Sequence, residues 1–305
     1  MNIKAFCDNP INYMLLVACE HRLFNWLDDE RYLKLVWRAR TGKKLDLEKP
    51  VTYNEKLQWL KLNYRTSLQT KCVDKYRVRE YVSECGLENI LVDLLAVYDR
   101  PEDVDFDKLP TPCFIKCNNS SGGNMIYSKE KGIDKKQFVK SFKKLLRRNT
   151  FCYGREWPYK DVVPKIVVEK VLRDNDGNLP VDYKFFCFNG KTEFVFVNKD
   201  VCSEEGKHRT DDTWNVFDLN LKPLDFKIGR CDSNYHVDIP KNWDEMIRVS
   251  EILARPFPHC RIDLYNVDGR IFFGEITFFH QSGFVEIEPI EWNIKYGDLL
   301  DISKL

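Results

Sequence analysis

One segment late in the chain, residues 261–284, most constrains the fold. Its two apolar runs are separated by Asp268-Gly269, a dipeptide typical of the tight turn of a β-hairpin. Asp263 and Glu275 interrupt these runs, and a carboxylate inside a strand is costly unless a cation or another charge faces it. A two-residue turn alone would pair Asp263 with Gly274 and send Glu275 to the opposite face. An odd-numbered loop or a β-bulge would bring the two carboxylates to one face.

The arrangement with both carboxylates on one face predicts a divalent-metal site. Mg²⁺ in proteins is usually held by one or two carboxylates together with the phosphate oxygens of a substrate. Arg261 shares a strand face with Asp263, and Thr277 shares one with Glu275, because side chains two positions apart point the same way. We therefore expect the hairpin to be a catalytic centre that uses Mg²⁺ and a polyphosphate. The alternative is an ordinary edge hairpin whose carboxylates face water.

The composition narrows the class of protein. Of the 305 residues, 43% are apolar and 31% are charged, an ordinary balance for a soluble globular chain. Lys and Arg number 48 against 47 Asp and Glu, which gives no reason to expect nucleic acid or an anionic membrane as the main partner. The 11 cysteines form no CxxC pair, which favours free thiols in a reducing cytoplasm. The apolar run 11–19 is too short to span a bilayer, so we predict a cytoplasmic protein without an integral membrane segment.

Helical patterns fill the first part of the chain, and strand patterns dominate the second. Residues 1–50 have an amphipathic helical pattern, and Thr52 with Glu55 matches the capping box that begins another helix. After the hairpin we expect a polar tail through Leu305. Helices first and antiparallel hairpins later are typical of an α+β fold. Short apolar runs predict further strands at 113–117, 165–172, 181–188 and 192–197.

A lysine and a glycine-containing loop suggest phosphate binding. Lys116 lies in an apolar strand directly before this loop. Small residues allow backbone N–H groups to approach an anion, and hydroxyl groups add donors. The loop is not a Walker A sequence, and a merely flexible connection is the alternative. The loop residues predicted to cover phosphates are Ser120, Ser121, Gly122, Gly123 and Asn124.

Two further strands carry charged residues within apolar runs. Glu169 and Lys170 stand in the strand at 165–172, where backbone groups could meet an adenine edge and a carboxylate a ribose hydroxyl. Simple alternation on a half-exposed strand is the alternative there. Lys184 lies in the strand at 181–188 and is a candidate phosphate ligand. Asp182 shares its face and could instead be its ion partner.

The order of these features resembles the ATP-grasp superfamily, and the hairpin resembles that of D-alanine–D-alanine ligases. A narrower resemblance is to the TupA-like ATP-grasp family of teichuronopeptide biosynthesis, from about residue 51 to the C-terminus. A match of so many motifs in the same order is specific to one family. The motifs are DKYRVR at 74–79, VYD at 97–99, DFDKLP at 105–110, FIKCN at 114–118, DYKF at 182–185 and FGEITF at 273–278.

The resemblance implies two α+β subdomains that clamp ATP between them. It divides the chain into four parts. An N-terminal helical segment (1–50) and a pre-ATP-grasp segment (51–112) come first. A small ATP-grasp subdomain with the glycine-rich loop (113–165) and a C-terminal subdomain with the Mg²⁺ site (166–305) follow. It also implies that ATP activates a carboxylate as an acyl phosphate, which an amine then attacks. Because the family is associated with cell-surface polysaccharide synthesis, enzymes of glycan assembly are implied partners.

The resemblance also implies roles for the nucleotide-binding residues. Lys116 and Lys184 would hold phosphates, with Lys184 at the catalytic centre, under a cover formed by residues 120–124. Glu169 and Lys170 would lie at the adenine and ribose end. The loop departs from the usual His-Gly-Ser-Gly of the family, because this chain has Asn-Ser-Ser-Gly at 119–122.

The roles implied for the hairpin are metal binding and charge stabilisation. Asp263 and Glu275 would ligate Mg²⁺, and Arg261 would stabilise the transferring phosphoryl group. Thr277 would be a further metal ligand where many ATP-grasp enzymes have Asn, and a hydroxyl is a weaker oxygen ligand. Gly283 comes later than the corresponding glycine of the D-alanine ligases, so that loop cannot be matched residue by residue.

Three functions are compatible with these residues. The leading hypothesis is an ATP-dependent carboxylate–amine ligase acting on an amino acid or uronic-acid carboxylate and an amine acceptor. The alternatives are a sugar or small-molecule kinase and a catalytically weak nucleotide-binding scaffold of a glycan assembly complex. The polar stretch 199–212 is a candidate acceptor or lid segment, with a solvated loop as its alternative. His280 could touch substrate, although an ordinary surface position is expected.

Overall fold

The computed structural model describes residues 9–120, 122–198, 203, 206, 215–229 and 237–305. Helices come mostly before and around two antiparallel sheets, which gives the α+β fold that the sequence predicts. No helix in these ranges is both long enough and apolar enough to cross a membrane. The four-part division of the chain drawn from the sequence stays a prediction.

Nine α-helices lie in the described parts of the chain, seven of them within residues 10–154 and two within residues 243–299. Helix α2 ends at Gly42, whose φ of 73° is readily adopted by glycine, and α3 begins with the predicted capping box of Thr52 and Glu55. The helices are α1 Pro10–Glu20, α2 Asp29–Thr41, α3 Tyr53–Asn63, α4 Ser67–Val73, α5 Val78–Glu84, α6 Lys135–Leu146, α7 Phe151–Gly154, α8 Trp243–Ala254 and α9 Ile290–Leu299.

A four-stranded antiparallel sheet forms the smaller layer. Its strands are β1 Leu94–Tyr98, β2 Cys113–Cys117, β3 Met125–Tyr127 and β4 Ile166–Lys170, in the order β1-β4-β2-β3. The strand predicted at 113–117 is confirmed. Helix α6 covers one face of this sheet with Phe138, which stacks on Phe142 at 4.3 Å between ring centroids.

The larger sheet has five strands in the order β10-β9-β5-β6-β7. They are β5 Val181–Phe188, β6 Lys191–Asn198, β7 Asn215–Phe217, β9 His259–Val267 and β10 Arg270–Thr277. Alternate residues of β5 point to opposite sides: Phe185 packs on Trp243 of α8, at 5.3 Å between ring centroids, while Lys184 points away from that helix. The helix therefore covers one face, and the other face carries Asp182 and Lys184 beside the buried Phe186 and Phe188. Strands β8 Lys227–Ile228 and β11 Ile287–Glu288 form a separate pair.

The hairpin of β9 and β10 combines a two-residue turn with a bulge. Arg270 pairs with Val267, so Asp268-Gly269 is the turn, and both residues have positive φ. The register then shifts between Phe273 and Glu275. This β-bulge at Gly274 places Glu275 opposite Asp263, as the shared-face alternative requires.

The prediction of a polar tail after the hairpin is wrong. Residues 290–299 form α9, which packs on α3 and contributes Tyr296 to the core at 4.5 Å from Phe194, between ring centroids. Gly297 permits this approach, since a Cβ there would lie 2.2 Å from the carbonyl oxygen of Val51. Glu291, Lys295 and Asp298 lie on its solvent-facing side, and these charged residues hid the helical pattern in the sequence.

Candidate active site

A row of charged residues crosses the face of the large sheet that lies opposite α8. Lys184 on β5 lies opposite Asp263 on β9, and Asp263 lies opposite Glu275 on β10. Residues directly opposite each other in an antiparallel sheet project to the same side. The structure therefore brings Lys184, which the sequence analysis selected on a separate strand, next to the Asp263 and Glu275 pair of the hairpin.

Arg261 ties this row together. Its guanidinium donates to both oxygens of Asp263, at 2.6 and 2.7 Å, and to one oxygen of Glu275 at 3.1 Å. Lys184 donates to Asp263 at 3.0 Å and to Asp182. The ion pair between Asp182 and Lys184 that the sequence analysis gave as an alternative is therefore present, within a larger network.

Burial and ion pairing set the charge states of the row. Burial alone would raise the pKa of Glu275, but Lys75, Arg261 and Lys184 outweigh it and lower that pKa to about 2. Burial raises the pKa of Asp182 to about 6, although Lys184 opposes this effect. Glu275 is thus a carboxylate across the physiological range.

Lys75 is a site residue that the sequence analysis did not assign. Its ammonium lies 3.2 Å from Glu275 and donates to the carbonyl oxygen of Ser120 at 3.2 Å. Asn118 supports this position, because its carbonyl oxygen accepts from the backbone N–H of Lys75 and its amide donates to Asp74. Lys75 lies within the DKYRVR motif, which was the available indication, but a contact 200 residues away in sequence leaves no local pattern.

Lys116 and Glu169 form a pair on the small sheet. They lie 2.5 Å apart across β2 and β4, and Arg79 lies 3.6 Å from the second oxygen of Glu169. Lys170 is exposed and lies 3.5 Å from Asp93. The sequence analysis gave Lys116 and Glu169 separate roles, and the structure brings the two side chains into direct contact.

A small cavity joins this pair to the hairpin. Its volume is about 100 Å³, and its walls come from β2 and β4 of the small sheet and from β9 and β10 of the large one. Phe114 and Phe273 supply apolar surface beside the charged pair. The cavity thus combines apolar and charged walls and lies between the two sheets.

Comparison with known families decides the family of this chain. The model of the TupA-like ATP-grasp family matches residues 55–301. The chain belongs to the TupA-like ATP-grasp family. This match confirms the resemblance drawn from the sequence. The matched range includes every motif on which that resemblance rests. No curated protein matches the chain.

Solved structures similar to this TupA-like protein include ligases of low sequence identity. D-alanine–D-alanine ligase from Bacillus anthracis complexed with ATP is 17% identical, with 68% of this chain and 55% of that chain covered and a TM-score of 0.39. L-amino acid ligase from Bacillus licheniformis is 12% identical, with 88% and 55% covered and a TM-score of 0.43. Phosphoribosylamine–glycine ligase from Thermotoga maritima is 12% identical, with 69% and 48% covered and a TM-score of 0.41. The TupA-like chain spans about half the length of these proteins.

The glycine-rich loop of this TupA-like protein lies next to the charged row. Gly122 and Gly123 have φ of 74° and 76°, in the region that glycine adopts without strain. Ser120 is buried, Asn124 is half-buried, and Ser121 lies outside the described residues. The candidate acceptor stretch 199–212 also lies outside them, apart from positions 203 and 206.

His280 is a buried neighbour of Arg261, so the expectation of a surface position is wrong. Its side chain is 3% exposed, and its Nδ1 lies 2.7 Å from the Arg261 guanidinium. Burial and then the charge of Arg261 lower its pKa well below the usual range. The neutral imidazole can therefore accept a hydrogen bond from Arg261 and orient it. Only the three-dimensional structure shows this contact, since His280 comes after the strand has ended.

The donor set of the hairpin fits Mg²⁺ carried by a nucleotide. Asp263 and Glu275 present hard oxygen ligands on one face, and the Thr277 hydroxyl lies 3.4 Å from Glu275. Among the described residues, no group of three or more His, Cys, Asp or Glu side chains is placed to hold a metal. Two carboxylates completed by phosphate oxygens are the arrangement usual for Mg²⁺.

Proposed function

We propose that this protein is an ATP- and Mg²⁺-dependent carboxylate–amine ligase. The observation that carries the proposal is the row of Lys184, Asp263 and Glu275 with Arg261 bonded across it, on the sheet face beside the cavity. A purely structural sheet has no need to bury so many charges on one face, because each costs desolvation energy. Membership of the TupA-like ATP-grasp family supports the same activity.

Different residues of the two sheets would bind different parts of ATP. Glu169 and Lys170 are the proposed contacts of the adenine and ribose, and Lys116 and Lys184 are the proposed phosphate ligands. A bound phosphate would compete with Glu169 for Lys116, since those two side chains are paired at 2.5 Å. The glycine-containing loop, from Ser120 to Asn124, would cover the phosphates with backbone N–H groups.

Asp263, Glu275 and Thr277 are the residues that would hold Mg²⁺. The ion supplies charge neutralisation for the phosphate oxygens. Arg261 is held in place by Asp263 and His280, so it can stabilise negative charge that develops near it without rearranging.

The reaction proposed for this site has two steps. A substrate carboxylate oxygen attacks the γ-phosphorus of ATP, the bond between that phosphorus and its bridging oxygen breaks, and ADP leaves. The amine nitrogen of the acceptor then attacks the carbonyl carbon of the acyl phosphate, inorganic phosphate departs and the nitrogen loses a proton. The products are an amide, ADP and phosphate.

The biological setting we propose is cell-surface polysaccharide synthesis. Its substrates would be an amino acid or uronic-acid carboxylate and an amine acceptor, and its partners would be enzymes of glycan assembly. We place the reaction in the cytoplasm, where ATP is supplied. The family association with teichuronopeptide synthesis is the support for this setting.

ATP turnover with Mg²⁺ across a panel of amino acids and uronic-acid sugars tests the proposal. ADP and free phosphate that appear only when both a carboxylate and an amine are present would support the ligase. ADP with phosphate retained on a sugar would establish the kinase instead. Tight ATP binding without turnover on any pair of the panel would favour the scaffold hypothesis.

A further inference from the structure

A second, larger cavity lies between the N-terminal helices and the end of α6. Its volume is about 810 Å³, and α1, the turn after it, α2 and the residues that follow α6 form its walls. Glu20 contributes one carboxylate to the lining. The basic residues of the lining are His21, Arg22, Arg40, Lys144, Arg147 and Arg148.

Part of this basic lining is not neutralised by ion pairs within the described parts of the chain. Arg22 donates to the carbonyl oxygen of Arg147 at 3.1 Å, which ties the N-terminal segment to the small sheet's helix. Lys144, Arg147 and Arg148, by contrast, form no ion pair with any residue in the described ranges, and their side chains are exposed. Like charges that converge on one cavity repel each other, and an anion in the cavity relieves that repulsion.

The cavity touches the candidate active site through Ser120. This residue lines the cavity, is 4% exposed, and its hydroxyl has no hydrogen-bond partner among the described residues. Its carbonyl oxygen accepts from Lys75, and Lys75 contacts Glu275. Lys116 and Lys184 are not part of the lining. The cavity is therefore next to the proposed phosphoryl-transfer site but separate from the proposed phosphate ligands of ATP.

We propose that this cavity binds the diphosphate group of a sugar substrate. The ligase substrate would then be a sugar already linked through a diphosphate to a carrier, with its sugar directed past Ser120 toward the hairpin. This inference rests on the proposed function and names its substrate class. Arginines suit this ligand because the guanidinium binds phosphate oxygens through two parallel hydrogen bonds.

A diphosphate-linked sugar has two chemical sources, a nucleotide and a lipid carrier. The volume of about 810 Å³ admits a ligand larger than pyrophosphate. The same N-terminal segment exposes Leu23 and Trp26, at 64% and 78%, so a lipid-linked donor needs to be tested as well. Both carry the same diphosphate, which is the group that the basic residues would recognise.

Equilibrium binding of UDP-glucuronate to the full chain preloaded with saturating ADP and Mg²⁺ tests the cavity directly. Glucuronate without the diphosphate and a short-chain polyprenyl diphosphate glucuronate serve as comparison ligands. The double variant Arg147→Gln/Arg148→Gln should weaken diphosphate binding about 10-fold or more and leave the affinity for ADP unchanged. The matched control Lys136→Gln/Lys140→Gln removes two exposed charges from α6 outside the lining, and it should bind like the unmodified protein.

The outcomes separate this inference from the proposed function. If the Arg147/Arg148 variant loses affinity for UDP-glucuronate but not for ADP, diphosphate binding in the cavity is supported even when the ligase assay finds no turnover. Equal binding by both double variants, displacement of UDP-glucuronate by ADP, or equal affinity for free glucuronate would overturn it. A further assay measures binding to vesicles of anionic phospholipid. If the unmodified protein binds these vesicles but no diphosphate ligand, and the Arg147/Arg148 variant loses the vesicle binding, the inference is overturned and the cavity belongs to a membrane-facing surface. Tighter binding of one carrier form assigns the source.

Discussion

The buried ammonium of Lys61 provides the sharpest test of how this fold supports its site. Lys61 lies on α3, is 0% exposed, and donates to Gln58 at 2.9 Å and to the carbonyl oxygens of Gly154 and Ser282, each at 2.7 Å. Ser282 in turn donates its hydroxyl to the buried Glu156. Lys61 therefore anchors the loop after β10, in which Ser282 has φ of 53° and His280 contacts Arg261.

Replacing Lys61 with Met keeps most of the volume and removes all three hydrogen bonds. Removal of one partner from a buried charged network costs about 3–5 kcal/mol, because the remaining polar groups stay buried without compensation. Glu156 is the acidic group left behind, and burial already raises its pKa. We expect Lys61→Met to lower the free energy of unfolding by about that amount, and Lys61→Met/Glu156→Gln to recover part of the loss.

The pH dependence follows from the same burial. Burial lowers the pKa of Lys61 from 10.5 to about 7, so the unfolded chain binds this proton more tightly than the folded chain does. The cost to folding is complete below pH 7 and fades as the pH rises toward 10.5. The difference in stability between the unmodified protein and Lys61→Met should therefore grow with pH across that window.

Urea unfolding at pH 7 and pH 9 measures both effects, with Lys34→Met as the control. Lys34 is half-exposed on α2 and pairs with Glu30, so its loss should cost about 0.5 kcal/mol or less. Loss of less than about 1 kcal/mol in Lys61→Met, or a difference that shrinks as the pH rises, would refute this account of the buried ammonium.

Three further predictions concern the site and the C-terminal helix. Glu275→Gln should lower kcat about 10²- to 10³-fold in the ATP assay while the protein stays folded, and full activity would remove Glu275 from the proposed metal site. Lys116→Ala should weaken ATP binding about 10-fold or more, measured by calorimetry, and unchanged affinity would exclude it as a phosphate ligand. Gly297→Ala should cost about 3 kcal/mol in urea unfolding, because the added Cβ would meet the Val51 carbonyl oxygen at 2.2 Å. An unchanged midpoint would show that α9 moves away at little cost.

The sequence predicted the elements well because their determinants are local. Turn residues and apolar runs located the strands, and the capping box located the start of α3. Local patterns did not decide to which face of the sheet Glu275 points, because that face depends on one extra residue in β10. The bulge occurs at Gly274, where a Cβ would lie 3.0 Å from the Asp263 carbonyl oxygen. The glycine was visible in the sequence, but the register shift that it permits was one of two open alternatives.

What the sequence could not supply were the partners that join distant segments. Lys75 meets Glu275 from a helical region 200 residues earlier, and His280 contacts Arg261 from the segment that follows β10. Lys75 interrupts no apolar run and received no role from the sequence, whereas His280 was considered as a substrate contact but showed no local sign of its pairing with Arg261. Charged residues inside strands stand out in a sequence, whereas the residues that neutralise them from loops do not.

The charges of the two cavities differ in a way that bears on what each can bind. In the charged row, three cations offset three carboxylates: Lys75, Lys184 and Arg261 against Asp182, Asp263 and Glu275. A triphosphate added alone would bring net negative charge beside buried carboxylates, so we expect it to bind with a divalent cation. The basic cavity has Glu20 as its acid against several cations, and an anion can enter it without a metal. Dependence on Mg²⁺ should therefore distinguish nucleotide binding from diphosphate binding in the same molecule.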